Sequence, residues 1–486
     1  MANFMDPVLQ LSLDLPPPHS RRLLHSLHTQ LRCAILEGRL KTGVRLPSTR
    51  ALAASLGISR NTAIAAYDRL LSEGYLRTRP AAGVFVCHVP ARSPRSRKAS
   101  TASGDRRLHA TWRQLPPLDA PHYQPRPRLD FRLGEPDGSA LPQAIWQRLS
   151  ARALRQQMRE GLVPLQPRGR PALRNAIAGH VSFTRAVACT ADDVFVTSGA
   201  QQAFYLLARI LVTPGRSVVA MEDPGYAPAR AAFLAAGARI APVPVDDEGL
   251  IVERLPRRVD AIYVTPSHQF PLGQAMSLAR RTALIEYARR TGAVILEDDY
   301  DGEFRFGDRP LDALQTLDDG DSVFYIGTFS KSLFTSLRLG FIVAPAWAHQ
   351  TLETAKRFMD AQCNVHVQET LAAFIREGHL ARHVRRVRGV YQERRNALLE
   401  GLGRLGWLHA VPASAGLHLC ARLDPTIDRE RLLARAREKE VGLYAGDSYF
   451  IKRPVLPSLL FGYGVIDRAG VDEAMQRLRK IQPPRR

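Results

Sequence analysis

Hydrophobic and polar positions give the chain three textures. From Ser20 to about Pro90 apolar residues recur at helical spacing, and Leu24, Leu27, Leu31 and Ile35 share one face of a helix that Ser20 caps and Gly38 ends. The stretch LPSTRALAASLGISRNTAIAAYDRLLSEGYL predicts a helix opened by Ser48, a turn at Gly57 and a second helix capped by Ser59, with Ile64, Tyr67, Leu70 and Leu71 facing inward. Behind it, YLRTRPAAGVFVC reads as two short strands turning near Gly83. Together these make a winged helix-turn-helix over residues 1–90. Residues 91–128 lose all apolar periodicity and are rich in Ser, Pro and Arg, which predicts a basic, flexible linker. From about Leu129 onward strand-like runs (DDVFVTSG, RSVVAMED, DAIYVTPSH, AVILEDDY) alternate with helical ones such as QQAFYLLARILV. That alternation predicts an α/β fold, a mainly parallel sheet with helices on both faces.

Composition adds limits. A chain of 486 residues and 54.0 kDa is too long for one ordinary core, and 45% hydrophobic residues are enough to fold several. The formal charge of +22 favours a polyanionic partner, although a preference for Arg over Lys accounts for part of it. Cysteines 33, 87, 189, 363 and 420 show neither a C-x-x-C pair nor metal-ligand spacing, which points to reduced intracellular thiols and no metal. The N-terminus lacks a signal-peptide pattern and eighteen apolar residues never run together, so a soluble, cytoplasmic protein is expected.

The second helix of the first domain begins SRNTA, and polar side chains on that first turn are those that reach base edges in a major groove. Residues 43–86 resemble the winged helix-turn-helix of the GntR family of bacterial regulators, through LPSTRALA, LGISRNT and AYDRLLSEGYL. The resemblance implies double-stranded DNA as partner and a contact set of Arg45, Ser48, Arg50, Ser59, Arg60, Asn61, Thr62 and Gly83. Within it Arg50 and Arg60 would read guanine edges, Thr62 would meet phosphate or base, and Gly83 would let the wing approach the minor groove.

The rest of the chain carries different chemistry. VFVTSGAQQAF is a strand ending in Ser198 and Gly199, followed by a helix whose first amides belong to Ala200 and Gln201, and such an end binds anions. VILEDDYDGEF puts acids where an open α/β sheet has its ligand crevice. Asp298 follows a run that should be buried, and a buried carboxylate calls for a cationic partner. YIGTFSKSLFTSLRLGFIVAP then places Thr328, Ser330, Lys331 and Arg338 close together. Hydroxyls and an arginine beside a desolvated lysine suit a phosphate-bearing aldehyde, with the amine forming a Schiff base and the rest holding phosphate. A pyridine cofactor also needs an anion at its ring nitrogen, a place Asp298 fits. Of seven lysines, Lys331 is the best candidate because the others lie in less buried-looking stretches.

These pieces resemble the fold-type I aminotransferases that use pyridoxal 5′-phosphate (PLP), over roughly residues 130–480, through SGAQQA, EDPGY, TPSHQFPLG, EDDYDGEF, TFSKSLFTSLRLGF and AGLHL. Joined to a GntR domain, the chain looks like the MocR group of regulators. The resemblance implies a large domain over 129–370 and a smaller C-terminal α+β subdomain over 371–486. It implies Lys331 at the aldehyde, Asp298 at the pyridine nitrogen, Tyr300 at the phenolic oxygen and Tyr226 over the ring. Around the phosphate it implies Ser198, Gly199, Ala200, Gln201, Thr328, Ser330 and Arg338.

Departures from the enzyme pattern bear on function. Phe270 stands where aminotransferases carry an asparagine, with His268 nearby as a substitute. Leu460, in PSLLFGYG, stands where the enzymes carry the arginine that clamps an amino acid's carboxylate, and Arg453 is the alternative carrier of that role. Three readings follow: a regulator that senses PLP itself, as PdxR-like members do; a regulator that keeps PLP and senses an amine or amino acid by external aldimine formation; or an active aminotransferase that binds DNA. The resemblance also implies a homodimer.

Overall fold

Apolar residues at three- and four-residue spacing wind Leu23–Leu36 into helix α1 of the computed structural model. The structure describes residues 11–17, 20, 22–80, 82–88, 107, 109–114, 125–161, 164–307, 312–319, 322–452 and 457–485. Contacts divide the chain into two compact units, Met1–Asp105 and Arg106–Arg486.

In the first unit Ser48 opens α2 (Thr49–Leu56) by accepting the Ala51 N–H at 3.2 Å, and Gly57 closes it at φ +65°. Ser59 opens α3 (Arg60–Ser72) by accepting the Thr62 N–H at 3.1 Å. The wing is β1 (Leu76–Arg79) paired antiparallel with β2 (Gly83–Val86). Two details differ from expectation. Helix α1 starts at Leu23, three residues past Ser20, whose hydroxyl accepts the Arg22 N–H instead. Leu24, Ile64 and Leu71 are only partly buried, because Leu23, Ala63 and Ala66 take the inward places.

The second unit opens with α4 (Ala110–Gln114), inside the stretch expected as a flexible linker, and Trp112 stacks on Tyr205 with ring centroids 6.2 Å apart. The chain continues through β3 (Leu129–Asp130), α5 (Gln143–Glu160), α6 (Pro171–Arg185), β4 (Val194–Thr197), α7 (Ala200–Leu211), β5 (Val218–Asp223), α8 (Ala227–Ala235), β6 (Arg239–Asp246), β7 (Gly249–Leu250), β8 (Ala261–Val264), α9 (Leu278–Thr291) and β9 (Val294–Asp299). Then follow β10 (Val323–Thr328), β11 (Gly340–Val343), α10 (His349–Asp360), α11 (Val365–Arg376), α12 (His379–Gly403), β12 (Leu408–Ala410), β13 (His418–Leu423), α13 (Arg429–Glu438), β14 (Val441–Gly442), β15 (Tyr444–Ala445), β16 (Ser458–Gly462) and α14 (Arg468–Arg479).

Eight strands form one sheet in the order β4-β11-β10-β9-β8-β5-β6-β7, parallel from β10 through β6, with β11 and β7 antiparallel to their neighbours. Its central strands are buried along their length, as a sheet covered on both faces requires. The ends of β4, β5, β8, β9 and β10 therefore open onto one edge, the place where such a sheet holds ligands. A second, antiparallel sheet runs β12-β13-β16-β15. Strand β3, at the start of the expected large domain, pairs instead with β14 of the C-terminal part. Among the described residues no helix is long and apolar enough to cross a membrane.

The segment after β3 crosses β16 at very close range: the Gly462 N–H donates to the Phe131 carbonyl at 2.9 Å. A Cβ at Gly462 would lie 1.9 Å from the Arg132 carbonyl oxygen, and one at Gly464 would lie 2.0 Å from that of Glu135. Gly462→Ala is thus expected to lower stability by about 1–3 kcal/mol in equilibrium denaturation. Gly179→Ala, in open space on α6, should instead raise it by about 0.5–1 kcal/mol. Equal effects at the two positions would contradict the packing described.

Candidate functional site

Lys331 comes three residues past the end of β10, and its Nζ donates to the Gly134 carbonyl at 2.7 Å. Burial holds this amine below the usual lysine range, against the opposing pull of the Asp301, Asp298 and Glu135 carboxylates. Asp298, near the end of β9, accepts a hydrogen bond from the Tyr263 hydroxyl of β8 at 2.6 Å on Oδ2, while Oδ1 is buried without a hydrogen-bond partner among the described residues. The sequence called for a cation here, and the structure supplies a phenol. The carboxyl answers by holding its proton: burial, with Asp299 and Asp301 close by, pushes it up to about 7.

Tyr300 and His268 meet beside it. The Tyr300 hydroxyl and Asp301 Oδ2 each lie 2.9 Å from His268 Nδ1, and His268 Nε2 is buried without a partner among the described residues. His418 packs against the same ring, and its Nε2 donates to the Pro271 carbonyl at 3.0 Å. His268, Asp301 and His418 thus bring ligand-type atoms within 4.8 Å of one another, a cluster the sequence did not flag. Phe270 sits among the rings of Tyr226, Tyr300, His418 and Tyr449, with centroids at 5.3, 5.9, 5.4 and 4.9 Å. Tyr226 is held edge-on by Phe204 as well as by Phe270.

The anion end is built from β4, β10 and β11. The register Thr328↔Gly340↔Thr197 brings the three strand ends level. Arg338, in the left-handed region at φ +50°, donates from Nη2 to the Ser198 carbonyl at 3.1 Å. Gly199 caps α7 at φ +79°, and a Cβ there would come within 3.2 Å of that guanidinium. Ala200 and Gln201 form the first helical turn, whose N–H groups lack intrahelical acceptors. The Gln201 side chain donates to the Pro228 carbonyl at 3.0 Å. Thr328 Oγ1 and Ser330 Oγ lie 3.1 Å apart, both buried.

Three features escaped the sequence. Lys356, expected like the other lysines in a less buried stretch than Lys331, has no exposed surface, whereas Lys331 is half-buried; the Lys356 Nζ donates to Asp360 Oδ1 at 2.6 Å and lies 3.5 Å from Cys363 Sγ. Tyr263 reaches Asp298 only through the β8–β9 register, which no local pattern encodes. Arg185, in a helix distant in sequence, donates to Asp299 at 2.6 Å. Leu460 is fully buried in an apolar cluster with Val411 and Cys420, against which Leu133, Leu272, Tyr444 and Tyr449 pack. Arg453 lies outside the described residues.

On the first unit, Arg50 is exposed on the first turn of α2, and Arg60 and Asn61 are exposed at the start of α3. Ser48 and Ser59 spend their hydroxyls on the helix caps, and Thr62 Oγ1 lies 2.8 Å from Ser59 Oγ. Arg45 is partly buried against the wing, its Nε 3.0 Å from where a Cβ of Gly83 (φ +107°) would lie.

Residues 128–458 match the aminotransferase class I and II family, and residues 25–86 match the bacterial regulatory proteins of the gntR family. The chain belongs to the GntR-type transcriptional regulators that carry an aminotransferase class I and II domain, the MocR type, which bind DNA through the N-terminal helix-turn-helix. It is 36% identical to the probable rhizopine catabolism regulatory protein MocR of Rhizobium meliloti, over 97% of this chain and 95% of that one. The pyridoxine biosynthesis transcriptional regulator PdxR of Corynebacterium glutamicum is 29% identical over 94% of this chain and 95% of its own. Among solved structures, the α-aminoadipate aminotransferase LysN of Thermus thermophilus, complexed with N-(5′-phosphopyridoxyl)-L-leucine, is 30% identical. It aligns with 72% of this chain and 91% of its own at a TM-score of 0.66. PLP is the cofactor of this aminotransferase fold.

The Asp298 geometry sets a pH signature. A carboxyl lifted from about 4 to about 7 binds its proton more tightly in the folded than in the unfolded chain. Its contribution to native stability is greatest at low pH, is lost as pH rises from about 4 to about 7, and stays lost above. Without PLP, Asp298→Asn should gain thermal stability over the parent as pH is raised from about 4.5 to 8. A difference that does not change with pH would contradict the assignment.

Proposed function

We propose that this chain is a transcriptional regulator whose aminotransferase-like domain senses PLP and passes its occupancy to the winged helix as a change in DNA affinity. Bound PLP supplies an aldehyde carbon that condenses with an amine, and a ring nitrogen that takes a proton. The residues fit that group. Lys331 offers an amine held below its usual range, and Asp298 offers an unpaired buried oxygen to a protonated ring nitrogen. Tyr300, oriented by His268, serves the phenolic oxygen, and Tyr226 covers the ring. Ser198, Gly199, Ala200, Gln201, Thr328, Ser330 and Arg338 make the phosphate cradle.

The observation that carries sensing over catalysis is the cluster around Leu460. A carboxylate arriving there would lose its hydration without a bidentate partner, which costs about 1–3 kcal/mol or more and disfavours an amino-acid substrate held as in the enzymes. A second reading, a regulator that retains PLP and exchanges an amine onto it, draws support from Arg132. Its guanidinium pairs with two carboxylates, Nε 3.6 Å from Asp130 Oδ2 and Nη1 3.2 Å from Glu135 Oε2, and Asp130 Oδ1 accepts from Tyr444, the cross-strand neighbour of Leu460, so an incoming carboxylate would have to compete for it. Arg50, Arg60 and Asn61 would read DNA, with two chains pairing as a cytoplasmic homodimer to present two recognition helices.

Fluorescence anisotropy on labelled DNA from upstream of its own gene, at fixed salt, tests this. PLP should shift the DNA Kd about tenfold, or about 1.4 kcal/mol. Lys331→Ala should abolish the shift but keep DNA binding, and Arg60→Ala should lose the binding itself. A Kd indifferent to PLP would contradict PLP sensing and turn attention to amines.

A further inference from the structure

Behind the strand ends one guanidinium ties two segments of the site together. Arg185, the last residue of α6, is 4% exposed. Its Nε donates to Asp299 Oδ2 at 2.6 Å and its Nη2 to Ser267 Oγ at 2.5 Å. Asp299 adjoins Asp298 on β9, and Ser267 adjoins His268 in the loop after β8. The Tyr325 hydroxyl of β10 donates to the same Asp299 Oδ2 at 2.6 Å. Gly302 lets the following loop close over this carboxylate, since a Cβ there would lie 2.4 Å from Asp299 Oδ1.

Successive residues of a strand point to opposite faces. Asp298 therefore turns to Tyr263 while Asp299 turns to Arg185 and Tyr325. Around Asp298 stand Tyr263, Glu222, Tyr226, Asp301 and Lys331. Around the Arg185–Asp299 pair stand Tyr325, Glu297, Glu303, Arg281 and Arg305. Two buried carboxylates on neighbouring residues cannot both ionise cheaply unless one is neutralised.

We infer that Arg185 is a positioning residue of the PLP site: by neutralising Asp299 and holding Ser267, it keeps Asp298 able to carry charge and fixes the loop of His268. This rests on the reading that PLP occupies the site. The acids nearby then divide the work, Asp299 bound to the scaffold and Asp298 left open to the ligand.

The test is made on the full chain with Arg185→Gln, Arg185→Lys and Tyr325→Phe. It reads the PLP Kd and the pH midpoint of the visible absorbance of the PLP-loaded protein. Arg185→Gln should weaken PLP about tenfold and move the midpoint up by about one unit, because an uncompensated carboxylate favours protonated forms. Arg185→Lys should recover most of both, and Tyr325→Phe should shift the midpoint in the same direction by less. An Arg185→Gln protein with unchanged Kd and midpoint would reduce Arg185 to a structural ion pair. Should that variant fail to fold, an unchanged midpoint in Tyr325→Phe would overturn the inference equally. If the parent takes up no PLP, the PLP reading fails, and thermal melts of the PLP-free proteins still decide on Arg185. Its loss should steepen the fall in stability between about pH 4.5 and 8, and an unchanged slope would count against it.

Discussion

A buried carboxylate oxygen with nothing to bind is costly, and the second unit is organised around one. Asp298 Oδ1 sits near the end of a strand buried from Ile295 onward, with Tyr263 on its other oxygen and Lys331 among the charges that act on it. Left alone, the carboxyl holds a proton; supplied with a protonated ring nitrogen, it ionises and the oxygen finds its partner. The parallel sheet brings Lys331 and the anion cradle to the same edge. Gly462 and Gly464 then let residues 131–136 run close enough to β16 for Gly134 to meet the lysine.

Much of this was legible because local patterns carry it. The two serine caps, the left-handed Gly57 and the wing are local features, and each occurs where the spacing placed it. That Lys331, Asp298 and Arg338 stand near strand ends was readable because each lies beside an apolar run that forms a buried strand. What escaped depends on register and packing. Tyr263 looks like one more core residue of AIYV until β8 is laid beside β9. Arg185 looks like a helix-ending cation until α6 is packed under the sheet. Lys356 reads as a surface lysine in HQTLETAKRFMD, yet its charge is buried and matched by Asp360 one turn later. Ser20 missed its role because the helix begins only where the apolar face can pack.

Under the proposed reading the same sites separate a sensor from an enzyme. The residues proposed for the amine, ring-nitrogen and phosphate positions stand at one sheet edge, while Leu460, proposed to stand where the enzymes clamp a carboxylate, is buried among apolar neighbours. A site that grips the cofactor but not a second carboxylate is suited to report whether the cofactor is there. Any such report must work by differential affinity, PLP favouring one arrangement of the protein over another.

One measurement bears most directly on this account: borohydride reduction of the PLP-treated protein, followed by proteolysis and mass mapping of every lysine. Of the seven lysines, the account expects the pyridoxyl mass on the peptide carrying Lys331 and on no other. A label on Lys356, the other deeply buried amine, or an absence of label after saturating PLP, would contradict it.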